Sequence, residues 1–127
     1  MKTRLHTAYP MVFVTDVPKA VAYYKTKLGF KVDYVYGEPP FYGMVTRDGA
    51  SLHLRHVDKH PMDHSEEDLL TTTIPVEGVK SLFLEFKANG AEFHQTLKRQ
   101  PWGTSDFTVK DPDGNLLNFA NAKADRK

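Results

Sequence analysis

The stretch SLHLRHVDKHPMDHSEED places four histidines, His53, His56, His60 and His64, within twelve residues. Imidazoles at this density invite two kinds of chemistry: ligation of a divalent metal, or proton transfer by His53 with Arg55 beside it. Alternation along a strand argues against the metal cluster. His53 and His56 have opposite parity and would face opposite sides of a sheet. His60 and His64 fall in a polar, proline-containing segment and read as surface histidines. Ser51 and Thr71-Thr72-Thr73 carry hydroxyls, but no motif sets a His–acid pair beside them, and β-strand composition accounts for them. The chain has no cysteine, so thiolate metal sites, disulfides and Cys nucleophiles are excluded.

A second informative stretch is QPWGTSDFTVKDPDGNLLNF, residues 100–119. It holds the lone tryptophan, Trp102, between Pro101 and Gly103, and it places the neutral amide of Asn118 after a tight turn. No glycine-rich phosphate loop joins a strand to a helix anywhere in the chain. Lys and Arg are scattered without interleaved aromatics, and the formal net charge is +1, so neither nucleic acid nor a membrane surface is called for. The apolar run in MKTRLHTAYPMVFV is too short for a signal peptide or a spanning helix. A cytoplasmic protein without a cofactor is the expectation.

The elements that must position these residues are readable from pattern. Residues 9–14 read as a strand. Asp16 can cap the helix that follows, Pro18 suits its first turn, Ala20, Val21, Tyr24 and Leu28 recur at helical spacing, and Gly29 ends it. Residues 31–36, 41–46 and 50–56 read as three strands separated by GEPP and RDG turns. The order then repeats: a strand at 71–76, a helix at 79–88 with Leu82, Phe83 and Phe86 inward, Asn89-Gly90 to close it, and strands at 91–97, 106–110 and 115–120. Val14 pairs with Val76, Val17 with Val79, Gly29 with Gly90, and Asp48-Gly49 with Asp113-Gly114, at a nearly constant offset. With 127 residues the chain suffices for one domain with a real core. The expectation is a single α+β domain over 1–127. Its first module covers about 5–57 and its second about 70–122, joined by a linker at about 58–69.

Two βαβββ units, with VTDVPKAVAYYKTKLGF at the front and PWGTSDFTVKDPDGNLLNF at the back, resemble the vicinal oxygen chelate superfamily. That group holds glyoxalase I, extradiol dioxygenases, and fosfomycin and bleomycin resistance proteins. The resemblance covers residues 8–121. It implies two modules in tandem whose sheets curl around a cleft, usually completed by a homodimer. Its metal-dependent members hold a divalent ion through His, Glu or Gln on the first and last strand of each module. Carried over, those positions are Tyr9, His53, Thr71 and Asn118. His53 and Asn118 each lie four residues past a turn glycine, Gly49 and Gly114. Only His53 is a good ligand for a transition metal. The resemblance therefore points to the metal-free, bleomycin-resistance-like branch.

With His53 and Asn118 facing the cleft, alternation places Tyr9, Met11, Phe13, Ser51, Arg55, Asp106, Thr108, Lys110, Leu116 and Ala120 there too. Leu52, Leu54, Phe107, Val109, Leu117 and Phe119 turn toward the helices. The PWG phrase is similar to one in bleomycin resistance proteins, where the Trp helps to sandwich a flat ligand opposite aromatics of the partner subunit. For Trp102 loop packing is the alternative to ligand contact. For Tyr36 and Phe41 it is edge or dimer packing. Bleomycin is cationic and the proteins that sequester it are typically acidic, whereas this chain is balanced. The expected function is sequestration of an aromatic or amphipathic small molecule by a homodimer without metal. The alternatives are a metal-dependent enzyme of glyoxalase, dioxygenase or epimerase type using His53, and a metal-free enzyme with His53 as general base.

Overall fold

The first helix begins where Asp16 and Pro18 place it. In the computed structural model, which describes residues 2–60 and 67–122, α1 spans Val17–Thr26. Asp16 caps it by accepting from the Lys19 amide at 3.0 Å, and Pro18 lies in the first turn, where no intrahelical donor is lost. Gly29 follows the helix at φ +71°, a left-handed conformation that favours glycine. His64 lies outside the described residues.

The order is β1 (Met11–Val14), α1, β2 (Lys31–Tyr36), β3 (Tyr42–Arg47), β4 (Ala50–His56), β5 (Thr72–Val76), α2 (Val79–Ala88), β6 (Phe93–Arg99), β7 (Ser105–Lys110) and β8 (Leu116–Asn121). Two four-stranded sheets result, ordered β1-β4-β3-β2 and β5-β8-β7-β6. In each, the first strand of the module runs parallel to its last, and the remaining pairs are antiparallel. This is the α+β tandem of βαβββ modules that the repeat predicts. The free edges of the two sheets include β1 and β5, and Pro75 sits in β5, as suits an edge strand.

Several boundaries differ from the sequence reading by one or two residues, three of them for a plain local reason. β1 starts at Met11 rather than Tyr9; the carbonyl of Pro10 still accepts from His53 at 3.1 Å, but Tyr9 lies outside the strand. β3 starts at Tyr42, because the Phe41 amide is spent on the Tyr36 carbonyl across the turn. β6 starts at Phe93, since the Ala91 amide bonds back to Phe86 O and belongs to the exit of α2.

The core is one cluster. Val12, Val14, Val45, Leu52 and Leu54 of the first sheet and Phe107, Val109, Leu117 and Phe119 of the second join Val17, Ala20, Tyr24, Val79 and Phe86 of the helices. The DPDGN turn before β8 fastens one module to the other. Asp113 accepts from the amide and hydroxyl of Thr15 at 3.1 and 2.7 Å, Asn115 donates to Phe13 O at 2.9 Å, and the buried Asp111 accepts from the Tyr24 hydroxyl at 2.8 Å. On the far side, Arg47 forms a two-pronged ion pair with Glu85 of α2 at 2.8 and 3.0 Å.

Candidate functional site

α1 covers one face of the first sheet and leaves the other open. The register decides which side chains lie there. His53 stands between Met11 of β1 and Met44 of β3, Arg55 between Phe13 and Tyr42, and Tyr34 and Tyr36 extend the rows onto β2. The open face is thus rich in aromatic and thioether groups, with Arg55 exposed among them.

His53 is the centre of this face. Tyr9, although outside the strand, lays its ring on the imidazole with centroids 4.9 Å apart and planes 18° from parallel. Tyr42 meets it edge-on at 5.5 Å, and its hydroxyl hydrogen-bonds to Nδ1. Tyr34 stacks in turn on Tyr42 at 6.3 Å. The imidazole nitrogen is the stronger base of that pair. Burial, with the neighbouring Tyr34, raises the Tyr42 phenol above its ordinary pKa against a smaller opposing pull from Arg55. A phenol that donates to Nδ1 belongs with the tautomer whose proton is on Nε2. Nε2 is buried, and among the described residues it is the buried side-chain polar atom without a hydrogen-bond partner in the protein. Leaving such a donor unpaired costs about 1–3 kcal/mol, so the site is built around an unmet bond.

The second sheet arranges its polar residues differently. Asp106, Thr108 and Asn118 share a face, with Thr108 directly opposite Asn118. All three are buried. They satisfy one another and nearby side chains: Asn118 donates to Thr108 Oγ1 at 3.1 Å, and Asp106 accepts from Gln95 at 2.8 Å and Gln100 at 2.9 Å. Their hydrogen bonds are thus largely spent within the sheet and on the loop before β7. Gln95 and Gln100 were not among the expected site residues. Parity with Thr108 would have found Gln95, its register partner, but no pattern singles out Gln100.

Gln100 has a second role. Its amide donates to Thr104 O and its carbonyl accepts from Gly103, closing the tight loop that carries Trp102. With its side chain tied to Asp106, the loop is anchored to β7. Trp102 stands at the tip, 70% exposed.

Tyr36 and Phe41 meet edge to face at 5.6 Å, both largely exposed. Phe41, however, has the parity of the helix-covered side. It borders a small groove with Pro39, Pro40, His56 and the start of α1, on the side of the sheet away from His53. The four positions derived for metal ligands shift as well. The strand neighbour of His53 is Met11, not Tyr9, and that of Asn118 is Thr73, not Thr71. Thr71 instead donates to Asn115 Oδ1 at 3.3 Å. A thioether, hydroxyls and an amide beside one imidazole do not fit a divalent ion of the superfamily's usual kind. Among the described residues no group of three or more His, Cys, Asp or Glu is close enough to hold a metal.

The ten expected residues therefore divide. Tyr9, Phe13, Tyr36, His53 and Arg55 gather on the open face of the first sheet. Asp106, Thr108, Asn118 and Trp102 belong to the second, and Phe41 lies behind the first. Among the described residues no hydrogen bond or ring contact joins the two main sets. A larger groove of about 1040 Å³ went unforeseen; it is bordered by residues 7–10, the turn around Asp48 and Gly49, the whole of β5 and the first turns of α2. It exists only because the fold brings the β3–β4 turn of one module against the edge strand of the other.

Comparison with known proteins agrees with this architecture. A family described as "Glyoxalase/Bleomycin resistance protein/Dioxygenase superfamily" matches residues 5–119. A bleomycin resistance protein of Geobacillus stearothermophilus is 31% identical over 124 residues, covering 87% of this chain and 92% of the relative. The crystal structure of the bleomycin-binding protein from bleomycin-producing Streptomyces verticillus, complexed with copper(II)-bleomycin, superimposes with a TM-score of 0.77 at 22% identity, over 96% of this chain and all of that one. A bleomycin resistance determinant encoded on the transposon Tn5 gives 0.77 at 17% identity, over 94% and 99% of the two chains; both structures speak to fold. Matched over most of its length by the family and by a relative of that identity, the chain belongs to the glyoxalase/bleomycin resistance protein/dioxygenase superfamily.

Proposed function

We propose that this protein binds and sequesters a flat aromatic or amphipathic small molecule, without a metal, as a homodimer. The observation that carries the reading is the uncovered aromatic face around His53, with Tyr9, Tyr34 and Tyr36 exposed on it and Trp102 exposed on the other module. Contiguous exposed apolar surface of this kind marks a binding site. The names of the relatives, bleomycin resistance and bleomycin-binding proteins, support the same class of activity. Catalysis by His53 as a general base is the weaker reading. Its Nδ1 is engaged by Tyr42 and its Nε2 is buried. The test is a thermal-shift and Trp102-fluorescence screen of planar aromatic compounds, with bleomycin included. At least one flat compound is expected to raise the melting temperature and alter the emission; a screen in which none does either overturns the reading.

Two further outcomes are expected. After dialysis against a trace-metal buffer, elemental analysis should find Ni, Zn, Fe and Mn far below about one ion per chain. A stoichiometric ion would favour the metalloenzyme reading. The free edges of β1 and β5, and the groove along β5, are strand edges that need a cover. A second subunit supplies it in a two-fold assembly, so light scattering at micromolar concentration should report a dimer. A monomer would count against the shared-site model.

A further inference from the structure

We propose that the open face around His53 selects planar ligands that carry an anionic oxygen, with the Nε2 proton of His53 and the guanidinium of Arg55 as its two recognition donors. This rests on the flat-ligand reading above and adds the charge of the ligand to it. Three observations carry it.

The first is the direction of the histidine. Tyr42 hydrogen-bonds to Nδ1 and fixes the ring, and in the tautomer that accepts the phenol's proton there, the buried, unpartnered Nε2 presents a donor of set orientation. A buried donor that no protein group satisfies calls for an acceptor from elsewhere. The second is what covers it. The ring over the imidazole belongs to Tyr9, which precedes β1, is 52% exposed and lies parallel to the histidine at 4.9 Å. It occupies the place in which the ring of a flat ligand would stack, and turning it aside opens Nε2.

The third is charge. Arg55 shares the face, two residues along β4 from His53, and has no ion-pair partner among the described residues. The carboxylate nearest in the register is Asp33 on β2, and it is held by the hydroxyl of Thr46, which also bonds to Ser51. The face therefore offers a cation and a neutral donor, while the carboxylate of Asp33 is held at the Thr46–Ser51 rung rather than beside Arg55. Guanidinium and N–H donors together suit a carboxylate or phenolate, and a ligand cation would meet Arg55 unscreened.

A matched pair of probes tests this: 2-naphthoate and 2-naphthylmethylammonium, which share a ring system and differ in charge, titrated calorimetrically into the full-length protein. Naphthoate is expected to bind about tenfold more tightly. Arg55→Gln should shrink that preference from both sides, weakening naphthoate and strengthening the ammonium compound, and His53→Phe, which keeps the stacking surface, should shrink it by weakening naphthoate. Should His53→Phe fail to fold, imidazole ¹⁵N–¹H spectra of the wild-type protein decide. The Nε2 proton of His53 should move downfield with naphthoate and stay in place with the ammonium compound. Equal binding of the two probes, or a His53 resonance that saturating naphthoate leaves unmoved, overturns the anion preference while the flat-ligand reading stands. If neither probe binds and the aromatic screen is also blank, the flat-ligand reading fails and the preference with it.

Discussion

Replacing Asp111 with alanine is expected to destabilise the protein by about 3 kcal/mol, the range for breaking a buried hydrogen-bond network. Asp111 is buried and accepts four hydrogen bonds: from the Tyr24 hydroxyl at 2.8 Å, the Asn115 side chain at 2.9 Å, and the amides of Asn115 and Asp113 at 2.8 and 2.9 Å. Alanine would orphan all four donors. It would also loosen the turn through which Asp113 and Asn115 hold Thr15 and Phe13 of the other module. Asp111→Asn keeps one acceptor oxygen and should cost less. Equilibrium urea unfolding measures both, and an alanine variant as stable as wild type would show that the turn does not join the modules energetically.

The same residue predicts a pH dependence. Burial pushes the Asp111 carboxyl above its ordinary value near 3.8, and its hydrogen bonds to Asn115, Tyr24 and Asp113 only partly offset this. The folded state therefore holds this proton to higher pH than the unfolded chain. Its contribution to stability is full below the ordinary value and is lost as pH rises through the raised one. Glu85 runs the other way: its hydrogen bonds from Arg47 lower its pKa, so its contribution is lost as pH falls. The difference between wild type and Asp111→Asn removes Glu85 from the comparison, and that difference should shrink as pH rises across the window just above 3.8.

Trp102→Ala is expected to weaken binding of a flat ligand found in the screen by about 1–3 kcal/mol, roughly fivefold to 150-fold. Stability should change by only about 0.5 kcal/mol or less, as for an exposed residue with little packing to lose. The loop does not need the indole for its shape. The hydrogen bonds among Gln100, Gly103 and Thr104, and the bond from Gln100 to Asp106 at 2.9 Å, hold it. Calorimetric titration and thermal melting of the same variant separate the two effects. Unchanged affinity with a lowered melting temperature would make Trp102 a packing residue and leave recognition to the face around His53.

Local pattern carried most of the architecture. Asp16 and Pro18 starting a helix, Gly29 and Gly90 following one, and Asp-Gly turns before the last strand of each module are short-range chemistry, readable without knowledge of any distant contact. Two-residue alternation correctly sorted Leu52 and Leu54 from His53 and Arg55, because the pleat enforces it wherever one face is buried. It also separated His53 from His56. Boundaries slipped where a backbone amide had a competing partner, as at Phe41 and Ala91.

What the sequence determined by itself, then, is the doubled βαβββ order, the core faces and the poor donor set at the superfamily's metal positions. Only tertiary structure decided which polar residues stand open and which are closed. Asp106, Thr108 and Asn118 have the same parity signature as His53 and Arg55, yet Gln95 and Gln100 both donate to one oxygen of the acid and Thr108 takes up the amide. Tyr9 lost its place in the strand and gained one over the imidazole. The groove along β5 arises where one module's turn meets the other's edge. The reason is physical: alternation fixes the side of a sheet a residue occupies, while its accessibility and its unspent hydrogen bonds depend on what the rest of the chain brings to that side.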